Sequence, residues 1–186
     1  LLKEAQRLSE TELEQFSRKI RIYYVLSCFE EKYMDSCFAT ISSGILAGAV
    51  KGLSYDADAK MGKDQVTVNL PVRVNWGGGW SDTPPYCMEH GGTVLNAAVM
   101  LDGNCPIEVV VKKVDEPVIV LASADSGAEQ TFTDISRLQD SSNPYDPFAL
   151  HKAALIACGV IPYKEPVSVQ EITKNLGSGL YLSTQV

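Results

Sequence analysis

The sequence predicts an α+β fold, a mostly antiparallel sheet with helices on one face, preceded by a helical segment. Three observations carry this. Up to Leu53 the apolar residues recur at helical spacing, and from Val66 onward strand-like runs alternate with turn signals. Between them lies SYDADAKMGKDQ, polar, with glycine and three aspartates, which suits a linker. The predicted organisation is therefore a helical connector and linker over 1–65 and a second region over 66–186.

In chain order, Ser9 with Glu12 reads as a capping box opening a helix on which Leu13, Phe16, Ile20 and Tyr23 repeat at three and four. A second helix, from about Asp35 to Val50, carries Phe38, Ile41, Ile45 and Ala49 on one face. Its Gly44-x-x-x-Gly48 spacing predicts close helix packing. The Asp56-x-Asp58 pair lacks the rest of a calcium loop and reads as solvated linker. Strands are expected at 66–75, 93–101, 106–114 and 117–123. A helix from Pro147 through Cys158 with Asp146 as N-cap, a short helix from Val169 to Leu176 and a final strand after Gly179 complete the list.

Composition narrows the function. A 45% hydrophobic and 21% charged chain of 186 residues is that of an ordinary globular protein, long enough for one domain and an appendage. Acidic residues outnumber basic ones, 23 to 16, and no basic cluster occurs, so nucleic acid and anionic membrane are poor partners. Five cysteines, an odd number without a C-x-x-C pair, and only His90 and His151 beside them, argue against zinc and a disulfide framework. A reducing cytoplasm is the expected compartment. No apolar run approaches the roughly 18 residues of a membrane span. The opening on Leu1 and the strand-like close read as an excised piece.

The chemistry concentrates in LPVRVNWGGGWSDTPPYCMEHGGTVLN, Leu70 to Asn96. Apolar residues two apart, from Val66 to Val74, place Arg73 and Asn75 on the opposite face of an extended segment. Gly77, Gly78 and Gly79 permit close backbone approach, while Pro84 and Pro85 are expected to forbid a helix directly afterwards. Ser81, Asp82 and Thr83 are thus held on a stiff, exposed turn, which is how a small-molecule site is built. The competing reading is a tight turn with Asp82 as turn former. A dinucleotide fingerprint is excluded, because Trp80 to Pro85 follow where a helix should open.

This segment resembles the first signature of the GHMP sugar and metabolite kinases, with the family's arginine, asparagine and aspartate falling on Arg73, Asn75 and Asp82. The glutamate and histidine of galactokinase-like members are replaced by Gly79 and Trp80. The triple glycine before Ser81-Asp82, with the following His90-Gly-Gly-Thr-Val-Leu-Asn96, is closer to the heptose-phosphate kinase and L-fucokinase branch. Within it, Trp80 before Ser81-Asp82-Thr83-Pro84-Pro85 and the later Asn143-Pro-Tyr-Asp-Pro-Phe148 resemble L-fucokinases most. The resemblance implies the N-terminal GHMP-kinase subdomain over 66–186, ATP and Mg2+ as cofactors, and a sugar phosphorylated at its anomeric hydroxyl. Asp82 would read ring hydroxyls. Arg73 would stand near the reacting hydroxyl, or be a surface arginine. Trp80 would offer an apolar or stacking surface, or be a core tryptophan under the loop. Ser81 and Asn75 join the expected substrate contacts, although Asn75 could instead bond the backbone of the turn. A carboxylate facing the methyl of a 6-deoxy sugar would be a buried unpaired charge, and Gly79 removes it.

Two other functions stay open. A heptose-phosphate kinase shares the triple glycine but needs cations for its substrate's phosphate, and no Arg or Lys lies between Arg73 and Lys112. A catalytically silent sugar sensor or scaffold is the second. Gly177-Ser178-Gly179-Leu180 resembles part of the family's phosphate loop but lacks the small residues that would open a helix onto a triphosphate. The resemblance therefore implies a kinase domain cut before its ATP loop, inactive alone, with a nucleotidyltransferase fused in some relatives. Such a piece would expose apolar surface and self-associate as a homo-oligomer.

Overall fold

The computed structural model describes residues 1–9, 12–83, 86–143 and 145–186. Two compact units emerge. One combines Leu1–Gly52 with Arg73–Ala97, and the other combines Leu53–Val72 with Ala98–Val186. The helical pattern ends where the first unit's N-terminal portion does, but the glycine-rich loop returns to that unit rather than staying with the strands after it.

In the first unit, α1 (Leu2–Arg7), α2 (Leu13–Ser27) and α3 (Lys32–Val50) pack around Phe16, Ile20 and Cys37. Tyr23, Ile41 and Met88 close this small core. The N-cap of α2 is Glu12, not Ser9, so the expected capping box does not form. The Ser9 N–H instead donates to Gln15 Oε1 at 2.9 Å, six residues on. On α3 the buried residues are Cys37 and Thr40, whereas Phe38 and Ile45 are exposed. The helix turns its small residues inward because α2 comes so close: a Cβ on Gly44 would lie 2.3 Å from Phe16 Cζ. Gly48 has open space around it, so only half of the predicted glycine pair serves close packing. Burial pushes the Cys37 thiol up from its ordinary range and keeps it inert.

The second unit is a five-stranded sheet in the order β1 (Gln65–Leu70), β4 (Ile107–Val114), β7 (Gly179–Gln185), β5 (Ile119–Ser123), β6 (Ala128–Phe132). Every neighbouring pair is antiparallel except β5 with β7, which makes the sheet mixed and the fold α/β-containing in the α+β manner. Register lines up Val66 with Val111, Val111 with Leu182 and Leu182 with Leu121, so one face of the sheet is a continuous apolar row. Beneath it pack α5 (Ile135–Gln139), α6 (Ala149–Ala157) and α7 (Val169–Leu176), through Leu138, Leu155, Ile156, Val169, Ile172 and Leu176.

The run expected as one strand over 66–75 is two. Pro71 has no N–H to give a ladder. β1 ends at Leu70 in the large sheet, and β2 (Val72–Gly77) pairs with β3 (Leu95–Val99) in a separate two-stranded sheet. The stretch expected as a solvated linker is a packed strap. Leu53, Tyr55, Ala59 and Met61 lie against the core, and the N–H groups of Asp56 and Met61 donate to Gly159 O at 2.9 Å and Leu176 O at 3.1 Å. The helix expected from Pro147 begins at Ala149 with Phe148 as N-cap. Asp146 accepts the Phe148 N–H at 2.8 Å but spends its other oxygen on the buried Lys152 ammonium. α7 runs as predicted, capped by Ser168 Oγ on the Glu171 N–H and closed by Gly177 in the left-handed region.

His151 is buried, with Nε2 at 3.0 Å from both Ala122 O and Thr184 Oγ1, and its ring 5.7 Å from that of Phe148. Burial lowers its pKa, opposed by the Ala122 carbonyl and by Asp146.

Two predictions follow from packing. Gly48→Ala should stabilise by about 0.5–1 kcal/mol through helix propensity, whereas Gly44→Ala should cost about 1–3 kcal/mol by overpacking Phe16; urea titration distinguishes them. Because the unfolded His151 takes up a proton first, stability should be flat above pH ~6.5 and fall as the pH drops below it. His151→Gln, which keeps a donor but does not titrate, should flatten that decline in melts recorded from pH 8 to 5.

Candidate functional site

The hairpin of the first unit builds the site. Extended geometry sends Val74 and Trp76 to one face of β2 and Arg73 and Asn75 to the other. At its end the chain turns back on itself. Gly78 has φ +78°, and a Cβ there would stand 2.0 Å from the carbonyl oxygen of Thr93, so only glycine serves. Gly92 is equally constrained from the other side: its Cβ would meet Asp82 Cα and Ser81 O, each at 2.8 Å. The segment 78–82 is thus pressed flat onto the backbone that enters β3.

Hydrogen bonds fasten it there. The Ser81 N–H donates to Gly78 O at 2.8 Å, closing a turn. The Ser81 hydroxyl lies 2.7 Å from Gly78 O and 2.8 Å from Thr93 O, and it accepts the Thr93 N–H at 3.0 Å. After the turn, a five-residue helix, α4 (Tyr86–His90), starts directly beyond Pro84 and Pro85, where none was expected. Proline bars a helix from running through it, not from starting after it. Pro84, Pro85 and Pro144 themselves lie outside the described residues. α4 is held to α2 by the Arg21–Glu89 ion pair, and the rings of Tyr86 and His90 lie 4.9 Å apart, tilted at 49°.

The expected site residues distribute as follows. Trp80 is 87% exposed, which rules out a core tryptophan under the loop. Arg73 and Asp82 are exposed, and among the described residues neither has a charged or hydrogen-bonding side-chain partner. Asn75 and Gly79 are brought together: a Cβ on Gly79 would lie 2.5 Å from Asn75 Nδ2. Ser81 stands between Gly78 and Thr93 with its hydroxyl engaged on backbone. Thr93 and Gly92, which shape the loop from the far side, were not among the expected site residues. Their only sequence signal is the glycine pair before β3.

Gly177-Ser178-Gly179 is the end of a helix, not the start of one. Gly177 has φ +81°, and the Ser178 N–H donates back to Thr173 O at 3.1 Å. This is the carbonyl end of α7, where the helix dipole is negative and disfavours phosphate. Gly179 then enters β7 against Glu116 O, which a Cβ would approach to 2.0 Å. Among the described residues no three His, Cys, Asp or Glu side chains converge as metal ligands, and no helix is long and apolar enough to cross a membrane.

No protein-family model matches the chain. Two curated proteins do. The L-fucokinase/L-fucose-1-P guanylyltransferase of Bacteroides fragilis is 41% identical over 113 residues, 59% of this chain and 12% of that protein. The bifunctional fucokinase/GDP-fucose pyrophosphorylase of Arabidopsis thaliana is 39% identical over 94 residues, 50% of this chain and 9% of that protein. The match therefore spans about a tenth of the length of these relatives. Over half or more of its own length this chain is a homologue of bifunctional fucokinases.

Proposed function

We propose that this chain is part of an ATP-dependent sugar kinase of the GHMP type, whose whole protein converts L-fucose to L-fucose 1-phosphate. The observation that carries this reading is the clamped glycine loop, which offers an exposed indole at 80 and an unengaged carboxylate at 82 and leaves no carboxylate at position 79. The identities to two fucokinases support it.

The residues divide the work by their chemistry. Asp82 accepts hydrogen bonds from two sugar hydroxyls, which only an acceptor with two free oxygens does well. Trp80 gives its apolar face to the sugar ring and the 6-methyl group. Gly79 leaves room for the Asn75 amide, so that side chain reaches the sugar from under the turn. Arg73, on the same strand face as Asn75, stabilises charge developing at the anomeric oxygen and the transferred phosphoryl group. ATP with Mg2+ is the phosphoryl donor. The Gly177–Gly179 turn does not fit its phosphates, since the N–H groups of Gly177 and Ser178 are spent on Lys174 O and Thr173 O. A heptose-phosphate substrate is disfavoured by the absence of any Arg or Lys between Arg73 and Lys112. GDP-fucose salvage would follow from a fused nucleotidyltransferase.

Three outcomes are expected. In the whole protein, Asp82→Asn should weaken L-fucose binding by about 1.5–3 kcal/mol, the scale of a charge-assisted hydrogen bond; unchanged affinity by calorimetry would return Asp82 to a turn residue. Gly79→Glu should displace the Asn75 amide and move the ratio of kcat/KM for L-fucose over D-galactose toward galactose. The 186 residues alone should show only background ADP release with L-fucose, ATP and magnesium, because positioning of the triphosphate is most of phosphoryl-transfer catalysis.

A further inference from the structure

We propose that Ser81 is a positioning residue, not a sugar ligand: its hydroxyl is the latch that fixes Trp80 and Asp82 at their working distance from β2. The proposal rests on reading this loop as the sugar site.

A serine hydroxyl has one proton to give and two lone pairs to offer. Here the proton is shared between two carbonyl oxygens, Gly78 O at 2.7 Å and Thr93 O at 2.8 Å, and one lone pair takes the Thr93 N–H at 3.0 Å. No donor is left for a sugar oxygen. What the hydroxyl does is join both backbone groups of Thr93, at the entrance to β3, to the carbonyl of Gly78, at the exit of β2. It stands between the two residues that would meet the sugar, with Trp80 before it and Asp82 after it.

The surrounding backbone is shaped for that bond. Gly78 brings its own Cα to within a methyl group's reach of Thr93 O, and Gly92 does the same for Asp82 Cα. Two glycines permit the approach, and one hydroxyl holds it. Without the hydroxyl, Thr93 O and N–H would turn to water and the loop would sample positions in which the Asp82 carboxylate is displaced. Sugar binding then pays for ordering the loop. Since Asp82 is read as a contact to ring hydroxyls, with Arg73 at the reacting anomeric oxygen, this loss falls on binding rather than on the chemical step.

The test pairs kinetics with hydrogen exchange at the Thr93 amide in the whole protein. Ser81→Ala should raise the KM for L-fucose about tenfold, leave kcat within about threefold, and accelerate Thr93 exchange by about tenfold, the span of one net hydrogen bond. Ser81→Thr, which restores a hydroxyl, should return both quantities to within about threefold of the original. A raised KM with unchanged Thr93 exchange would make Ser81 a direct sugar ligand and overturn the proposal. So would faster exchange with an unchanged KM, which leaves a latch that positions nothing. If the unsubstituted protein shows no L-fucose-dependent turnover while Thr93 exchange still responds to Ser81→Ala, the kinase reading is what fails, and the positioning role falls with it.

Discussion

A peptide nitrogen without a hydrogen, at Pro71, decides where this chain can carry its chemistry. The apolar alternation from Val66 to Val74 is long enough for a single strand of the large sheet. Pro71 interrupts the ladder, so Val66, Val68 and Leu70 extend the sheet beside β4 while Val72 onward pairs elsewhere. Arg73 and Asn75 therefore project from a two-stranded hairpin rather than from the face of a five-stranded sheet. A hairpin of that size is marginal by itself in water. The segment between its strands is anchored in the same unit, where α4 meets α2 through the Arg21–Glu89 pair and Met88 packs against Phe16 and Ile20.

The loop beyond the hairpin solves a second problem, that of holding an exposed tryptophan and an exposed carboxylate without burying either. Side-chain packing cannot do it, because a packed Trp80 would be unavailable to a ligand. The backbone does it instead. Gly78 and Gly92 let two chain segments touch, and the contact is satisfied by hydrogen bonds rather than by apolar area. Rigidity of this kind leaves both side chains exposed on a fixed loop.

Much of this was legible from residues alone. The period of α7, with Val169, Ile172, Thr173 and Leu176 turned inward, is regular enough to set both its ends. The strands at β4, β5 and β7 are rich in Val, Ile and Leu and carry their own signal. β6 was not legible: Ala128-Glu-Gln-Thr-Phe132 has a single strongly apolar residue, and it forms because β5 lies beside it. The inward face of α3 was partly misjudged. Ile41 packs on the small core as its spacing suggests, but hydrophobicity also pointed to Phe38 and Ile45, which are exposed, whereas Cys37 and Thr40 are buried and Gly44 lies against Phe16. The strap at 54–61 looked solvated for the same reason, since Tyr55 and Met61 are isolated among polar residues and nothing local reveals the groove they fill. In the candidate site, the residues with visible chemistry could be picked out, but whether Trp80 packs under the loop or stands in solvent could not; it is exposed. The backbone contacts of the Ser81 hydroxyl were hidden, because whether a hydroxyl faces solvent or a carbonyl is a matter of tertiary contact.

The position of β7 has a consequence for how the second unit assembles. It lies between β4 and β5, yet it follows all four of the other strands of its sheet in sequence. As the chain emerges from the ribosome, β1 with β4 and β5 with β6 can form two antiparallel pairs early, each with an unpaired apolar edge. Only when Gly179–Gln185 arrives do the two halves join, by an antiparallel seam on one side and a parallel one on the other. The parallel seam closes over the intervening α5, α6 and α7, a long loop whose closure entropy must be met before any contact rewards it. Folding of this unit is thus a late, non-local event, and the interval before β7 inserts is when the exposed edges are open to chaperones or to misassembly with other chains.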